Sequence, residues 1–396
     1  MSFDKLHSNP ASATAYASIA PSVGTLITVP GYADGVIHAG TTFGQPASGI
    51  RADGDVNFPQ LDAFVLVDNA DALRYAPQGG TDGASLGAAV LTQNEVTALL
   101  KSALTVANHA RAQIRQPLNS AARVTVSVVD TQGAVLGIVR SRDAPVFGID
   151  VSLQKARTAA FYSSATAATF LSALPPARYI STGGSAASVA QSINLGDYVS
   201  AVRTFLGNNT ALGDGAIAFT DRAGGNLSRP FFPDGIEGNP PGPFSKPVGQ
   251  WSVFSTGLQL DISINAILQH VLYVSGAIPT DVAKGCAGVS ISNDLSTITQ
   301  TVSGVRAGNG FQIFPGSVPI YRGNTLVGAL GVSGDGVDQD DMIAFLGVDN
   351  AGMGLNNAPK AMRADTLTPQ GIRLRYVQCP QSPFLDSDAQ NVCEGK

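Results

Sequence analysis

Two regions of the chain each predict a pair of antiparallel strands: the first begins with alternating apolar and polar residues, and the second is almost wholly apolar around a tight turn. Residues 123–130 (RVTVSVVD) have the period of two that is typical of a strand, and residues 134–140 return after a turn at 130–133. Residues 317–321 and 325–332 form a second pair, joined by Arg322-Gly323-Asn324, in which Gly and Asn tolerate a tight turn. Strands paired locally, with helices grouped between them, indicate an α+β fold with an antiparallel sheet.

Apolar residues at helical spacing predict the helices. Residues 91–112 begin with Thr92 and Glu95, which form a capping-box pattern. Residues 151–162 follow Asp150, which we expect to cap that helix. Shorter helices are expected at 166–171 and 197–205, and a longer one at 260–272. A last helix follows Asp338 and is expected to end at Gly347 as its C-cap.

Composition shifts divide the chain into five stretches. Residues 1–90 are an irregular, β-leaning extension with one strand near 63–67, and residues 91–174 contain the first half of a domain. Residues 175–310 are a mixed insertion with a Pro-rich loop at 229–247, residues 311–350 are the second half, and residues 351–396 are a C-terminal tail. Within the insertion, residues 216–229 resemble the hairpin at 126–140, which indicates either a degenerate repeat with a second strand–turn–strand unit or a chance likeness.

Low charge and a small-residue texture favour an exported protein. Charged residues make up 13% of the 396 residues, and the formal net charge of −5 argues against nucleic-acid binding. No run of 18 apolar residues occurs, so we expect no membrane span. The N-terminal residues MSFDKLHSNP lack the apolar core of a signal peptide. We expect a periplasmic or extracellular location, with a cytoplasmic one as the alternative.

The chain contains three cysteines. Cys379 and Cys393 flank a loop near the C-terminus and form either a disulfide that ties down the tail or two free thiols. Cys286 is interpreted as a small buried residue. The motifs C-x-x-C-H and C-x-x-C do not occur, which excludes covalent c-type haem attachment and the common zinc patterns.

Three blocks of sequence together resemble one known family. They are the helix at 91–112, the stretch SVVDTQG…SRDAPVFG…QKARTAA within 124–160, and GSVPIYRGNTLVGALGVSGDGVDQDD at 316–341. This combination resembles the GlcG/HbpS family of haem-binding-like proteins, which also includes the C-terminal domain of PduO proteins. The resemblance implies an antiparallel sheet of about five strands with packed helices, assembly into homo-oligomers, and haem as the best-known ligand. The extension and the large insertion distinguish this chain from small members.

Haem binding requires an axial ligand and an apolar slot. His109 is the leading ligand candidate, because it lies off the apolar face of its helix, where the alternative is a solvated surface histidine. His270 and Met342 are further candidates, and His270 is also consistent with a packing role. The residues predicted to contact a cofactor are His109, Arg142, Lys155, Gly331 and Gly334.

The SRDAP loop and the helix after it predict a second kind of site. Arg142 and Lys155, opposite Gly331 and Gly334, would pair with a small carboxylate or oxo-acid. Asp143 and Lys155 are the candidate catalytic acid and base. The alternative is that these charges form structural ion pairs at a domain edge.

The acidic loop with Asp335, Asp338 and Asp340 is a weak candidate for calcium. The EF-hand spacing does not occur there, and acidic residues at a helix N-terminus are also explained by the helix dipole.

These patterns favour a non-catalytic or weakly catalytic, oligomeric binding protein of the GlcG/HbpS type, with haem or another tetrapyrrole as the small-molecule ligand. One alternative is an enzyme, or an enzyme accessory, that acts on a small oxo- or hydroxy-acid. The other is a structural or assembly protein whose extension and Pro-rich loop wrap neighbouring subunits.

Overall fold

The computed structural model describes Thr28 and residues 39–181, 188–283, 288–300, 306–307 and 310–396. The chain divides into two compact units, one of residues 1–41 with 268–281 and one of residues 42–267 with 282–396. The sheets, the core and the clefts described below belong to the larger unit. Cys286 and most of residues 1–38 lie outside the described residues.

One antiparallel sheet forms the centre of the larger unit. The strands are β1 (Ile50–Ala52), β2 (Phe64–Leu66), β3 (Val124–Val129), β4 (Val135–Arg140), β5 (Ala177–Ser181), β6 (Ser188–Ile193), β7 (Val289–Ile291), β8 (Ile298–Gln300), β9 (Ser317–Arg322), β10 (Thr325–Gly334) and β11 (Asn356–Asn357). Seven of these strands pair in the order β1-β2-β4-β3-β10-β9-β11, while β5 pairs with β6 and β7 with β8.

The two predicted hairpins lie side by side at the middle of the main sheet. Strand β3 pairs with β10 so that Val126 faces Val332 and Val128 faces Leu330. The predicted α+β class and the antiparallel sheet are confirmed. The sheet exceeds the expected five strands because the short edge strands β1 and β11 extend it, with three and two residues respectively.

The described part of the chain also contains α-helices. They are α1 (Gly83–Leu86), α2 (Gln93–His109), α3 (Gly148–Tyr162), α4 (Ala167–Ala173), α5 (Gly196–Leu206), α6 (Asp221–Asn226), α7 (Leu258–Asp261), α8 (Ile264–Val274) and α9 (Val337–Ala351). The capping box predicted for α2 is present: the Glu95 N–H donates to Thr92 Oγ1, and the Thr92 N–H donates to Glu95 Oε2 at 2.8 Å.

Successive residues of β10 face opposite sides of the sheet and so separate the helices into two layers. Leu330 and Val332 join the core that also contains residues of α2 and α9. Ala329 packs instead with Ala156, Ala159 and Ala160 of α3. At Gly331 a Cβ atom would overlap the Ser152 carbonyl oxygen and lie 2.6 Å from Ala156 N, so only glycine permits this approach of α3. Gly331 therefore sets how closely α3 packs on β10.

Two predicted helix ends are wrong. Helix α9 continues past Gly347 to Ala351, because Gly347 is a packing position: a Cβ there would lie 2.7 Å from the Ala103 Cβ of α2. Helix α3 begins at Gly148, so Asp150 is not its N-cap. Asp150 lies in the first turn, where its Oδ2 accepts from Gln154 Nε2 at 2.6 Å.

The second hairpin predicted at 216–229 does not form. Thr220 Oγ1 accepts from the Ala223 N–H and caps the short helix α6 instead. The Ala218 N–H donates to the Met362 carbonyl in the C-terminal segment. The Asp-Gly pattern shared with 126–140 is thus used for a helix start here and for a turn there.

The Pro-rich loop at 229–247 packs on its own chain. The Phe244 ring stacks on Tyr162 with centroids 5.0 Å apart, and Phe232 meets Phe205 edge-on at 5.0 Å. Both loop residues are almost fully buried. These two side chains are thus used within the chain, and the expectation that the loop wraps neighbouring subunits stays a prediction.

Candidate functional site

A cleft of about 480 Å³ opens next to the central hairpins. We call it the apolar cleft. Its walls come from α3, from residues 253–267, from the segment 310–314 and from the junction of β10 with α9. The residues that line it are Phe147, Val151, Gln154, Lys155, Val253, Phe254, Gln259, Leu260, Ser263, Ile267, Gly310, Phe311, Gln312, Phe314, Ser333, Gly334, Val337 and Asp340.

The mouth of the apolar cleft exposes large apolar side chains. Phe254 is 83% exposed and Phe147 is 61% exposed, and Ile267, Phe314 and Val337 are also exposed there. A continuous group of exposed apolar residues around a cavity is characteristic of a ligand or partner site.

The floor of the apolar cleft holds a buried ion pair. Lys155 Nζ donates to Asp340 Oδ2 at 2.9 Å and to the Val332 carbonyl at 2.9 Å, and both side chains are almost fully buried. Gly316, with φ of 135°, passes directly beneath: a Cβ there would lie 2.7 Å from Lys155 Nζ. The pair is therefore held between β9, β10 and α3 by backbone that tolerates no larger residue.

The Asp340 carboxyl is electrostatically unusual. Burial raises its pKa to about 6, against the lowering effect of the Lys155 ammonium. Its Oδ2 accepts from Lys155 and from the Gly334 N–H, while Oδ1 has no hydrogen-bond partner in the described part of the chain. The floor thus holds a carboxyl whose second oxygen is buried without a hydrogen-bond partner among the described residues.

A second cleft, of about 570 Å³, lies next to the first. We call it the arginine cleft. It is lined by Arg222, Gly225, Asn226, Arg229, Phe232, Pro233, Asp234, Ile313, Phe314, Pro315, Val337, Ile372, Arg373 and Arg375. Phe314 and Val337 line both clefts, so the two cavities adjoin along these side chains.

The structure brings together only part of the predicted site. Lys155 and Gly334 line the apolar cleft, whereas Gly331 packs against α3. Arg142 does not line this cleft; it is 65% exposed in its side chain and its Nε lies 3.0 Å from Asp62 Oδ1. The oxo-acid site that combined Arg142 with Lys155 therefore does not form in one pocket.

The candidate acid Asp143 is an exposed partner in a structural ion pair. Its Oδ2 accepts from Arg115 Nη1 at 2.6 Å, and Arg115 Nε also donates to Asp335 Oδ2 at 2.6 Å. The structural interpretation of these charges fits this geometry, since Arg115 links two loops.

The histidine candidates are also paired with carboxylates. His109 Nδ1 lies 2.6 Å from Asp386 Oδ2, with the His109 side chain 54% exposed. In the smaller unit, His270 Nδ1 lies 2.8 Å from Asp281 Oδ1. Met342 is fully buried in the core. None of these three residues lines the apolar cleft.

The acidic loop does not form a calcium site. Its three carboxylates contact different cations: Asp335 contacts Arg115, Asp338 contacts Arg222 and Asp340 contacts Lys155. Within the described ranges no group of three or more metal-ligating His, Cys, Asp or Glu residues occurs. The geometry gives calcium no support.

The disulfide considered for the C-terminal tail is present. Cys379 and Cys393 form a disulfide across a sequence separation of 14 residues. Their side chains pack at the edge of the main core.

Sequence reasoning missed most residues of the two clefts. Phe147, Phe254 and Phe314 come from three separate segments, and Arg375 comes from the C-terminal tail. No spacing connects them, although an apolar ring in a loop rich in small residues was an available signal for Phe254.

Fold and site together define an α+β protein with two adjoining clefts. One is apolar and has the Lys155–Asp340 ion pair at its floor, and the other is lined by arginines. The family model described as "Haem degrading protein HbpS-like" matches residues 99–215 and 280–349. The chain is thus similar to the HbpS-like family over these two segments, which confirms the resemblance found in its motifs. The unmatched stretch between the two segments, 216–279, contributes Phe254 and Ile267 to the apolar cleft.

Among solved structures, one described as "Crystal Structure of PduOC:Heme Complex" is similar to 68% of this chain and 99% of its own chain, at 14% identity and a TM-score of 0.27. A search of curated proteins finds no match. In the described part of the chain, no helix is long and apolar enough to cross a membrane.

Proposed function

We propose that this protein binds a tetrapyrrole, such as haem, in the apolar cleft. The observation that carries the proposal is the cleft itself: exposed aromatic rings at the mouth, apolar walls, and a volume of about 480 Å³. Pockets for cofactor-sized ligands are concave, mostly apolar and of this order of size. The match to a family described as haem degrading supports the choice of ligand class.

The lining fits the macrocycle better than the iron. Phe147, Phe254 and Phe314 would pack on the faces and edges of a flat ring system. Among the described residues that line the apolar cleft there is no His, Cys, Met or Tyr, which are the usual axial ligands of haem. We therefore expect the cleft to bind metal-free protoporphyrin IX about as tightly as haem.

The test is a titration of the purified chain with protoporphyrin IX and, separately, with haem, followed by fluorescence quenching and by the Soret band. Truncating one aromatic anchor removes about 1.5–3 kcal/mol of apolar burial, so Phe254→Ala should weaken binding roughly tenfold or more. Phe43→Ala is the matched control, because Phe43 is also an exposed phenylalanine but lies outside the cleft. Equal affinities for Phe254→Ala and Phe43→Ala would overturn the assignment of the cleft.

His109 remains the alternative position for iron. It lies on the surface beside Asp386, which would orient the imidazole. If His109→Ala abolishes the haem Soret shift while protoporphyrin IX still binds, iron ligation occurs at His109 and not in the cleft. If His109→Ala leaves both titrations unchanged, the cleft accounts for binding alone.

Self-association and export are further parts of the proposal. A second copy that covers Phe147 and Phe254 would bury exposed apolar surface, which favours an oligomer. Sedimentation velocity of the same samples tests this, and a monomer at all concentrations would contradict it. The Cys379–Cys393 disulfide supports an oxidising compartment. Thiol alkylation in fractionated cells would show whether these two cysteines are oxidised.

A further inference from the structure

The apolar cleft and the arginine cleft adjoin along one chain segment. Residues 310–312 line the apolar cleft, Ile313 and Pro315 line the arginine cleft, and Phe314 lies between them and lines both. Val337, at the start of α9, is the other shared wall. A ligand wider than the apolar cleft would therefore extend past Phe314 into the arginine cleft.

The arginine cleft presents four guanidinium groups and one carboxylate in its lining. Three of the four arginines contact carboxylates, and two of them, Arg222 and Arg373, also donate hydrogen bonds to these carboxylates. Arg222 contacts Asp341 and Asp338, and Arg373 contacts Asp365. These two arginines therefore have most of their charge compensated.

The other two arginines retain donor capacity. Arg375 Nη1 donates only to the neutral Gln378 Oε1, at 3.2 Å, among the hydrogen bonds of the described residues. Arg229 Nε is buried without a hydrogen-bond partner in that part of the chain, and it lies 3.5 Å from Asp234 Oδ2. A buried, unpartnered guanidinium N–H is costly unless an acceptor reaches it.

We infer that the two clefts act as one amphiphilic site for a flat apolar ligand that carries carboxylates, with the carboxylates at Arg229 and Arg375. A guanidinium presents paired N–H donors that match a carboxylate, and it stays charged throughout the physiological pH range. The inference rests on the proposed tetrapyrrole function and specifies which members of that class bind: those with free carboxylate side chains. It also fixes the orientation, with the apolar edge over the Lys155–Asp340 floor.

The experiment compares protoporphyrin IX with its dimethyl ester in one detergent-containing buffer. The two ligands share the ring system and differ in the two carboxylates. The wild-type protein should bind the free acid at least about tenfold more tightly, which is the low end for a charge-assisted hydrogen bond. The preference should shrink as salt is raised, because the arginine cleft is open to solvent.

The Arg229→Gln/Arg375→Gln double variant should lose this preference and keep its affinity for the ester. Retained ester binding shows that the variant is folded and that its apolar cleft is intact. Arg142→Gln is the matched control, since Arg142 is an exposed arginine outside both clefts, and it should keep the preference.

The outcomes separate the two proposals. If the wild-type protein binds acid and ester equally, or the double variant keeps the preference, the carboxylate inference is overturned while tetrapyrrole binding stands. If neither ligand binds at any concentration tested, the proposed function and the inference fail together.

Discussion

Replacing Lys155 by methionine should strongly destabilise the fold, and the effect should depend on pH. Methionine keeps most of the side-chain volume but removes the ammonium that contacts Asp340 Oδ2 and the Val332 carbonyl, each at 2.9 Å. Both partners are almost fully buried, so the Asp340 carboxylate would be left unpaired. Removing one partner of a buried ion pair typically costs about 3–5 kcal/mol of unfolding free energy.

The pH dependence follows from the Asp340 carboxyl. Its pKa is raised to about 6 in the folded protein, from an ordinary value of 3.8, although Lys155 lowers it. Without Lys155 the folded-state pKa rises further. A carboxyl whose pKa is higher in the folded than in the unfolded protein makes folding less favourable as pH rises from the unfolded-state pKa to the folded-state pKa. In the wild type this loss of stability ends above about pH 6, whereas in the variant, with its higher folded-state pKa, the loss continues to higher pH. The destabilisation should therefore be smaller at about pH 5.5 than at about pH 8.

The assay is urea unfolding followed by circular dichroism at both pH values, with Lys101→Met as the control, because Lys101 is an exposed lysine of α2. The double variant Lys155→Met/Asp340→Leu should recover part of the loss, since it leaves no buried charge of the pair. A Lys155→Met destabilisation below about 1 kcal/mol, or one equal at both pH values, would refute the reasoning.

Three further changes test a close contact between a strand and a helix, a helix cap and the disulfide. Gly331→Ala should cost several kcal/mol or prevent folding, because its Cβ would overlap the backbone of α3; Gly249→Ala, with open space at its Cβ, should be nearly neutral in thermal unfolding. Thr92→Ala should lower the unfolding free energy by about 1 kcal/mol through loss of the α2 cap, and an unchanged urea midpoint would contradict this. Replacing Cys379 and Cys393 by serine should cost about 3 kcal/mol by the loop-entropy estimate, and an unchanged melting temperature would argue against it.

The central layer of the fold was predictable because its signals are local. The period-two alternation of 123–130, the apolar run of 325–332 after a tight turn, and the Thr92/Glu95 capping box depend on neighbours within a few residues. The predictions at Asp150, Gly347 and 216–229 were wrong for the same reason. A glycine at the end of a helical pattern predicts the end of the helix. Gly347 is instead a position where α9 packs closely against Ala103, which is far away in the sequence.

The sequence by itself determined the α+β class, the family resemblance and the main helices and strands, since periodicity and short motifs are encoded locally. Only the tertiary structure decided which chemistry-bearing residues meet. Lys155 pairs with Asp340, and Arg142 lies outside the apolar cleft, where it pairs with Asp62. His109 pairs with Asp386. The tertiary structure also assembles the two clefts from segments far apart in the chain, because burial of apolar surface brings them together without any fixed spacing.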